Sequence, residues 1–380
     1  MKLSCRLLYL AVAISAICYI PFIYLSPTLY SALRLALYAI MLLLIAINIS
    51  LVKITNNRML SSLSILVATI LILFLSFYAI GLNFTGSDIS QTIVPFCCVI
   101  IGYCGNFSKE SINQVTIFYV LLSVIIASLS ASTYSSIRSV GDYSFLLEGK
   151  NQIGAIVAIA SSLALYILPQ QNSKYVKIAL ASSFVIGVIT SYIIGCRSAF
   201  LAFLLSAIIL QVKRNYNNIL KYVVLSGILL FFIYILWGDQ ITSLLNDFFV
   251  GDKDVNDMDD VSSGRMDRNR LAIDYILNNF FIGELLYPSN IPLIHNYLLL
   301  KWVRYGICAL PFLIYYLTFI SHAFIQLKNS RFLSIEYIGF FIIIIPYIVS
   351  MLEPGAPFGP GSIYFFTYIL YGFSLRQINK

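Results

Sequence analysis

The sequence predicts an all-α fold: a polytopic integral membrane helical bundle of about twelve transmembrane helices with one large outer loop. Three observations predict it. Of the 380 residues, 60% are apolar and only 11% are charged, and the mean hydropathy is +0.89. Soluble domains carry about 25% charged residues, so soluble enzymes, nucleic-acid-binding domains and disordered scaffolds are excluded. The apolar residues also gather into runs close to the ~20 residues that a membrane-crossing helix needs. Finally, most basic residues fall between runs on alternate sides, so the formal net charge of +8 reads as topology-setting charge and not as an attraction to nucleic acid.

Twelve runs are broken by polar or Pro/Gly-rich stretches, at 7–25, 29–52, 63–82, 92–103, 115–131, 153–168, 175–194, 199–212, 219–237, 305–327, 337–351 and 363–375. The first lacks an A-x-A cleavage site and reads as a retained helix rather than a signal peptide. The fourth and eighth are short enough to be tilted or re-entrant. The chain therefore divides into 1–237 with nine spans, 238–294 as the large outer loop with an amphipathic helix, and 295–380 as an outer re-entry segment with three more spans. The seven cysteines lie in or beside apolar runs without metal-ligand spacing and read as small buried hydrophobes. No metal and no cofactor is expected.

Placing both termini in the cytoplasm puts fourteen of the 24 basic residues inside, while the short outer connections near Ser26, Asp88 and Glu353 carry none. The positive-inside rule selects that orientation. Nine cations remain outside: Arg138, Lys150, Arg197, Lys253, Arg265, Arg268, Arg270, Lys301 and Arg304; Arg34 sits within the second span. Charges that oppose the rule need another reason to be where they are.

The outer loop holds ten of the 16 carboxylates, including the run GDKDVNDMDD at 251–260. That run lacks the Gly and terminal Glu of an EF-hand and reads as a solvated connector. Ser262 or Ser263 then precedes a helix whose Met266, Ile273, Leu277 and Phe280 share one face. Arg265 and Arg268 fall in its first turn, where cations oppose the helix dipole unless an anion joins them. The alternative is an interfacial helix whose arginines reach lipid phosphates. His295 stands where the loop re-enters the membrane, at the same outer level. Arg197 interrupts a nearly continuous apolar hairpin, and Lys150 precedes Asn151 and Gln152 before the sixth run. Four cations and one histidine at one level point to a pocket for a polyanion at the membrane surface. The other histidine, His322, lies near the opposite end of the tenth run, where packing is its expected role. Glu353, in LEPGAPFGPG, is an isolated loop carboxylate and a lesser candidate base.

The ordered segments GKNQIG, GCRSAFLAF, SGRMDRNR and HNYLLLKWVRYGI, spread from Lys150 to Gly306, resemble the bacterial O-antigen polymerase and O-antigen ligase superfamily. The resemblance covers the second half of the chain. It implies a metal-independent inverting glycosyltransferase in the inner (cytoplasmic) membrane, using undecaprenyl-diphosphate-linked oligosaccharide as donor and acceptor at the periplasmic face. Implied partners are those lipid-linked sugars and membrane lipids, with a chain-length regulator and a flippase alongside. Under it, His295 assists the acceptor and Arg197 and Arg265 hold the diphosphate as catalytic residues, while Arg268, Lys150 and Asn296 bind substrate. After the HN pair, Gly306 arrives on the ligase schedule, but Ile307, Cys308 and Ala309 follow without a second glycine. The expected activity is therefore O-antigen polymerase. A ligase that transfers polysaccharide to lipid A-core is the alternative, and a lipid-linked oligosaccharide flippase the second.

Overall fold

The computed structural model describes residues 3–24, 26–138, 144–214, 265–288, 294–330, 334–351, 357–358 and 363–379. Every regular element among them is helical: α1 (Leu3–Ile17), α2 (Pro21–Tyr24), α3 (Pro27–Asn48), α4 (Leu51–Thr55), α5 (Arg58–Ala79), α6 (Gly86–Cys104), α7 (Lys109–Arg138), α8 (Ser144–Ile167), α9 (Lys174–Ile194), α10 (Arg197–Arg214), α11 (Arg265–Asn278), α12 (Tyr297–Tyr305), α13 (Leu310–Asn329), α14 (Ile338–Ile342), α15 (Ile344–Ser350) and α16 (Phe365–Ile378), with short 3-10 turns between some of them. Seven helical stretches among the described residues are long and apolar enough to cross a membrane. The chain is a helical multi-pass membrane protein. The ninth apolar run, the acidic run at 251–260, the Ser262/Ser263 cap and Glu353 lie outside the described residues.

Helix limits depart from the apolar runs where polar residues join a helix. The short fourth run becomes α6 because the polar segment at 86–91 winds into its first turns. The sixth run is extended backwards into α8, so Lys150 lies within a helix rather than before one. The tenth run starts earlier, at Tyr297, and is broken at Gly306, whose φ of +52° ends α12.

α16 occupies the centre. All residues from Phe365 to Leu375 are buried, and a helix apolar on every side belongs inside a bundle. Lipid tails give helices no hydrophobic reason to associate, so close packing must supply the attraction, and small residues allow it. Here α6 and α16 cross through reciprocal glycines. A β-carbon on Gly102 would lie 2.0 Å from the Ile369 carbonyl oxygen, and one on Gly372 would lie 2.1 Å from that of Val99. Gly339 of α14 meets α16 in the same way, 2.1 Å from the Leu370 carbonyl oxygen, and its amide donates to Ser374 Oγ at 2.9 Å.

Polar contacts gather at two ends of the bundle. At one, Lys109 pairs with Glu336, Lys213 Nζ donates to the Lys328 carbonyl and Arg376 donates to the Gly105 carbonyl. His322 lies toward this end, with Nδ1 2.8 Å from the Tyr371 hydroxyl and its ring against Phe340 and Tyr371, in the packing role expected of it. Arg34, on α3, donates to the Tyr38 hydroxyl at 3.0 Å and lies over the rings of Tyr30 and Tyr38, which accounts for a charge inside an apolar run.

The reciprocal crossing makes a prediction. Gly372→Val forces a side chain into backbone with nowhere to move, so it should destabilise the protein by about 1–3 kcal/mol, seen as a lower thermal midpoint in detergent. Gly86→Ala, at a site with no atom within 4 Å and without a positive φ, is the control for a glycine outside any crossing; equal losses at both sites would contradict this packing.

Candidate functional site

At the other end, two helices far apart in sequence bring their cations together beside a histidine from a third segment. α10 begins at Arg197 and α11 begins at Arg265, and Arg197 lies within the electrostatic reach of Arg265. Arg265 and Arg268, one helical turn apart on α11, both act on His295. Arg268 Nη1 is 3.0 Å from His295 Nε2. A guanidinium has no acceptor. Arg268 is therefore the donor, Nε2 offers its lone pair, and the ring proton of the neutral imidazole sits on Nδ1.

The His295 pKa is pushed down to about 4, first by partial burial and then by the positive charges of Arg265 and Arg268. The imidazole is thus neutral throughout the physiological range. Lys150 belongs to the same level through the backbone of α8: the Cys196 thiol, one residue before Arg197, lies 3.9 Å from the Oδ1 of Asn151. A β-carbon on Gly154 would stand 2.2 Å from the Cys196 sulfur, so α8 approaches the start of α10 closely. Asn296 has a different position. Its Oδ1 accepts from the Leu298 and Leu299 amides at 3.0 and 3.2 Å, which makes it the N-cap of α12. It fixes the residue before it, His295, at the mouth of the site.

What holds α12 is a cluster that reading the sequence missed. Asp88, fully buried near the start of α6, pairs with Lys301 Nζ at 2.8 Å; Lys301 is itself only 1% exposed. Arg304 reaches the other carboxylate oxygen at 3.4 Å and the Tyr305 hydroxyl donates to it at 2.6 Å. Lys301 also donates to Gln91 Oε1 at 3.3 Å and stands over the rings of Tyr297 and Phe312. Lys301 and Arg304, two of the cations that the sequence reading sets against the topology rule, thereby have a buried partner. The signal was present: Lys301 and Arg304 share the face of α12 that carries Tyr297 and Tyr305, and Asp88 is the carboxylate beside an apolar run at that level.

α11 is docked to the same frame. Beyond its end, Gly283 and Gly306 meet backbone to backbone, both at positive φ. A β-carbon on Gly283 would lie 2.5 Å from the Val303 carbonyl oxygen, and one on Gly306 would lie 2.5 Å from that of Phe281. The Glu284 amide donates to Val303 and Arg304 carbonyls, and Asn83 donates to the Leu285 carbonyl at 2.8 Å. Ala272, Ile294, Leu300 and Val303 form a small apolar core beneath α11.

The resulting site is cationic, partly buried and contains an unprotonated imidazole. Guanidiniums match phosphate oxygens in bidentate fashion. Among the described residues, Gln152 Oε1 on α8 and Asn269 Oδ1 on α11 are buried acceptors without a hydrogen-bond partner, of the kind that receive hydroxyl donors. No set of three or more His, Cys, Asp or Glu side chains among the described residues is placed to hold a metal ion. No family model, curated protein or solved structure matches the chain.

The chain has only two histidines, so its titration is readable directly. In protein carrying 15N-labelled histidine, with His322→Gln to assign the signals, His295 should titrate at about 4, well below the free value of ~6.5, and Arg268→Gln should move it upward. A midpoint at or above the free value would contradict the electrostatics described.

Proposed function

We propose that this protein is an O-antigen polymerase, joining undecaprenyl-diphosphate-linked repeat units at the periplasmic face of the inner membrane during surface polysaccharide synthesis. The observation that carries the reading is the meeting of Arg197, Arg265, Arg268 and His295 at one end of a membrane bundle. A lipid-borne diphosphate suits that site better than a soluble anion does, because the cations stand at the end of apolar helices. The proposal includes twelve spans with both termini in the cytoplasm, which puts the site outside.

In the reaction, the hydroxyl of one lipid-linked unit attacks the anomeric carbon of another. A glycosidic C–O bond forms, the C–O bond to the diphosphate breaks, and undecaprenyl diphosphate leaves with the bonding pair. Arg197 and Arg265 hold the diphosphate and offset the charge it gains. His295 accepts the hydroxyl proton at Nε2 and releases it to solvent afterwards. In the structure that lone pair is taken by Arg268. A diphosphate draws Arg268 to itself, which frees Nε2. Its negative charge also raises the imidazole's proton affinity from the low value set by burial and by the neighbouring guanidiniums. Binding the donor thus prepares the base. Lys150, placed on α8 with its side chain outside the described residues, stays a candidate anion contact by sequence position alone, and Gln152 and Asn269 suit hydroxyls of the acceptor sugar. Asn296 acts here by capping α12 and so positions His295.

The test is lipopolysaccharide banding in a deletion strain. Loss of the gene should leave core carrying a single repeat unit, and wild type should restore the ladder. His295→Ala and the pair Arg197→Ala with Arg265→Ala should not. Arg265→Lys, which keeps charge but loses the bidentate fork, should lose most activity. Bare core with long chains retained on the carrier would instead identify a ligase. Single units trapped on the cytoplasmic face would identify a flippase and overturn the enzyme reading.

A further inference from the structure

We infer that α11 and the turn that follows it form an interfacial helix seated in the lipid leaflet beside the site, with acyl chains as the occupant of its uncovered apolar face. α11 has three flanks. Ala272, with Tyr275 and Ile276, packs on the protein. A second flank, carrying Met266, Ile273 and Leu277, is exposed, Leu277 to 73%. The third carries Asp267, Asp274 and Asn278, all exposed, and includes one apolar residue, Leu271. Of the four residues expected to share an apolar face, Met266, Ile273 and Leu277 do so, while Phe280 falls beyond the helix end against Trp302; Ile273 and Leu277 pack on none of the small core's residues among the described residues.

Two observations point to lipid as its cover. First, the face is continuous with the membrane surface of the bundle. Beyond α11 the exposed Phe280, Phe281 and Ile282 extend it, and the Phe281 carbonyl accepts from the Ile307 amide at 3.2 Å. Ile307 is the first residue of an exposed apolar stripe, Ile307, Leu310, Ile314 and Leu317, which runs down α13 at helical spacing. In a membrane helix such a stripe faces acyl chains. Second, the charges sit where a surface helix puts them: Arg270 borders the exposed apolar flank, and Arg265 and Arg268 stand in the first turn at the protein edge. A helix with acyl chains on one side, water on another and guanidiniums between them lies at headgroup depth.

This placement stands on packing and exposure alone and does not depend on the reaction. Its consequence for the site is geometric. With the apolar flank held in the leaflet, Arg265 and Arg268 are at the level of lipid phosphates, so a membrane-held diphosphate reaches them by moving sideways, with its chain still in the bilayer.

The test uses full-length protein in nanodiscs made with acyl-chain-brominated or ordinary phosphatidylcholine, with Trp237→Phe and Trp302→Phe removing the native tryptophans. Leu277→Trp fluorescence should fall about twofold or more in brominated lipid, while Asp274→Trp should hardly change. Ile273→Trp gives a second reading of the apolar flank should Leu277→Trp fail to fold. If tryptophan on that flank is unquenched by bromine but quenched by aqueous acrylamide, the face is in water and the inference falls. If neither agent quenches it, protein or a second copy covers the face, and the inference falls equally.

Discussion

The ion pair between Asp88 and Lys301 is the constraint on which this end of the molecule depends. Both groups are buried, and a buried charge is tolerated only with its counter-charge and hydrogen bonds in place. Arg304, Tyr305 and Gln91 complete those partners. The pair joins α6 to α12 and so fixes the register of α12. From that register follow the Asn296 cap at one end of α12 and the Gly306 turn at the other. The cap sets His295, and the turn receives the chain that ends α11. Removing either charge leaves the other stranded, which costs about 3–5 kcal/mol in buried pairs. The outcome is a rigid frame on which His295 and the chain that ends α11 are held.

The site rests on that frame. Asp88 answers Lys301 and Arg304, while Arg265 and Arg268 act on a neutral histidine and Arg265 acts on Arg197 as well. Guanidiniums held in place by a rigid scaffold give the site a preference for an incoming phosphate, because they need not be gathered when it arrives. The proposed exchange of Arg268 from imidazole to phosphate couples that preference to proton transfer. It also gives the low proton affinity of His295 a sense: burial and the guanidiniums keep the imidazole from protonating, and the anion that must be present for reaction restores the base.

Much of this was legible in the sequence, and the limits have physical causes. The apolar runs announce helices because membrane-crossing helices need them, and Arg197, Arg265, Arg268 and His295 fall at one level when the runs alternate. The partnership of Asp88 with Lys301 spans 213 positions and joins one residue in a short polar connection to another in an apolar stretch, so no local pattern records it. The crossing of Gly102 with Gly372 is equally non-local, since a glycine's role there is set by the backbone opposite it. Asn296 beside His295 suggests a substrate contact, yet an Asn before an apolar helix is also a strong cap, and the cap is the role α12 uses. The periodicity of α11 was readable; that its apolar face turns away from the protein was not, because a helix pattern fixes which residues align and leaves open what they meet.

The most direct test of the central claim is binding rather than turnover. Purified protein in nanodiscs, titrated with undecaprenyl diphosphate and separately with undecaprenol, should bind the diphosphate and show little affinity for the alcohol. Arg197→Gln combined with Arg265→Gln should weaken diphosphate binding by about tenfold or more, the loss expected when charge-assisted contacts worth roughly 1.4 kcal/mol or more are removed. Equal binding of diphosphate and alcohol, or undiminished binding by the double variant, would contradict a diphosphate site at this end of the bundle.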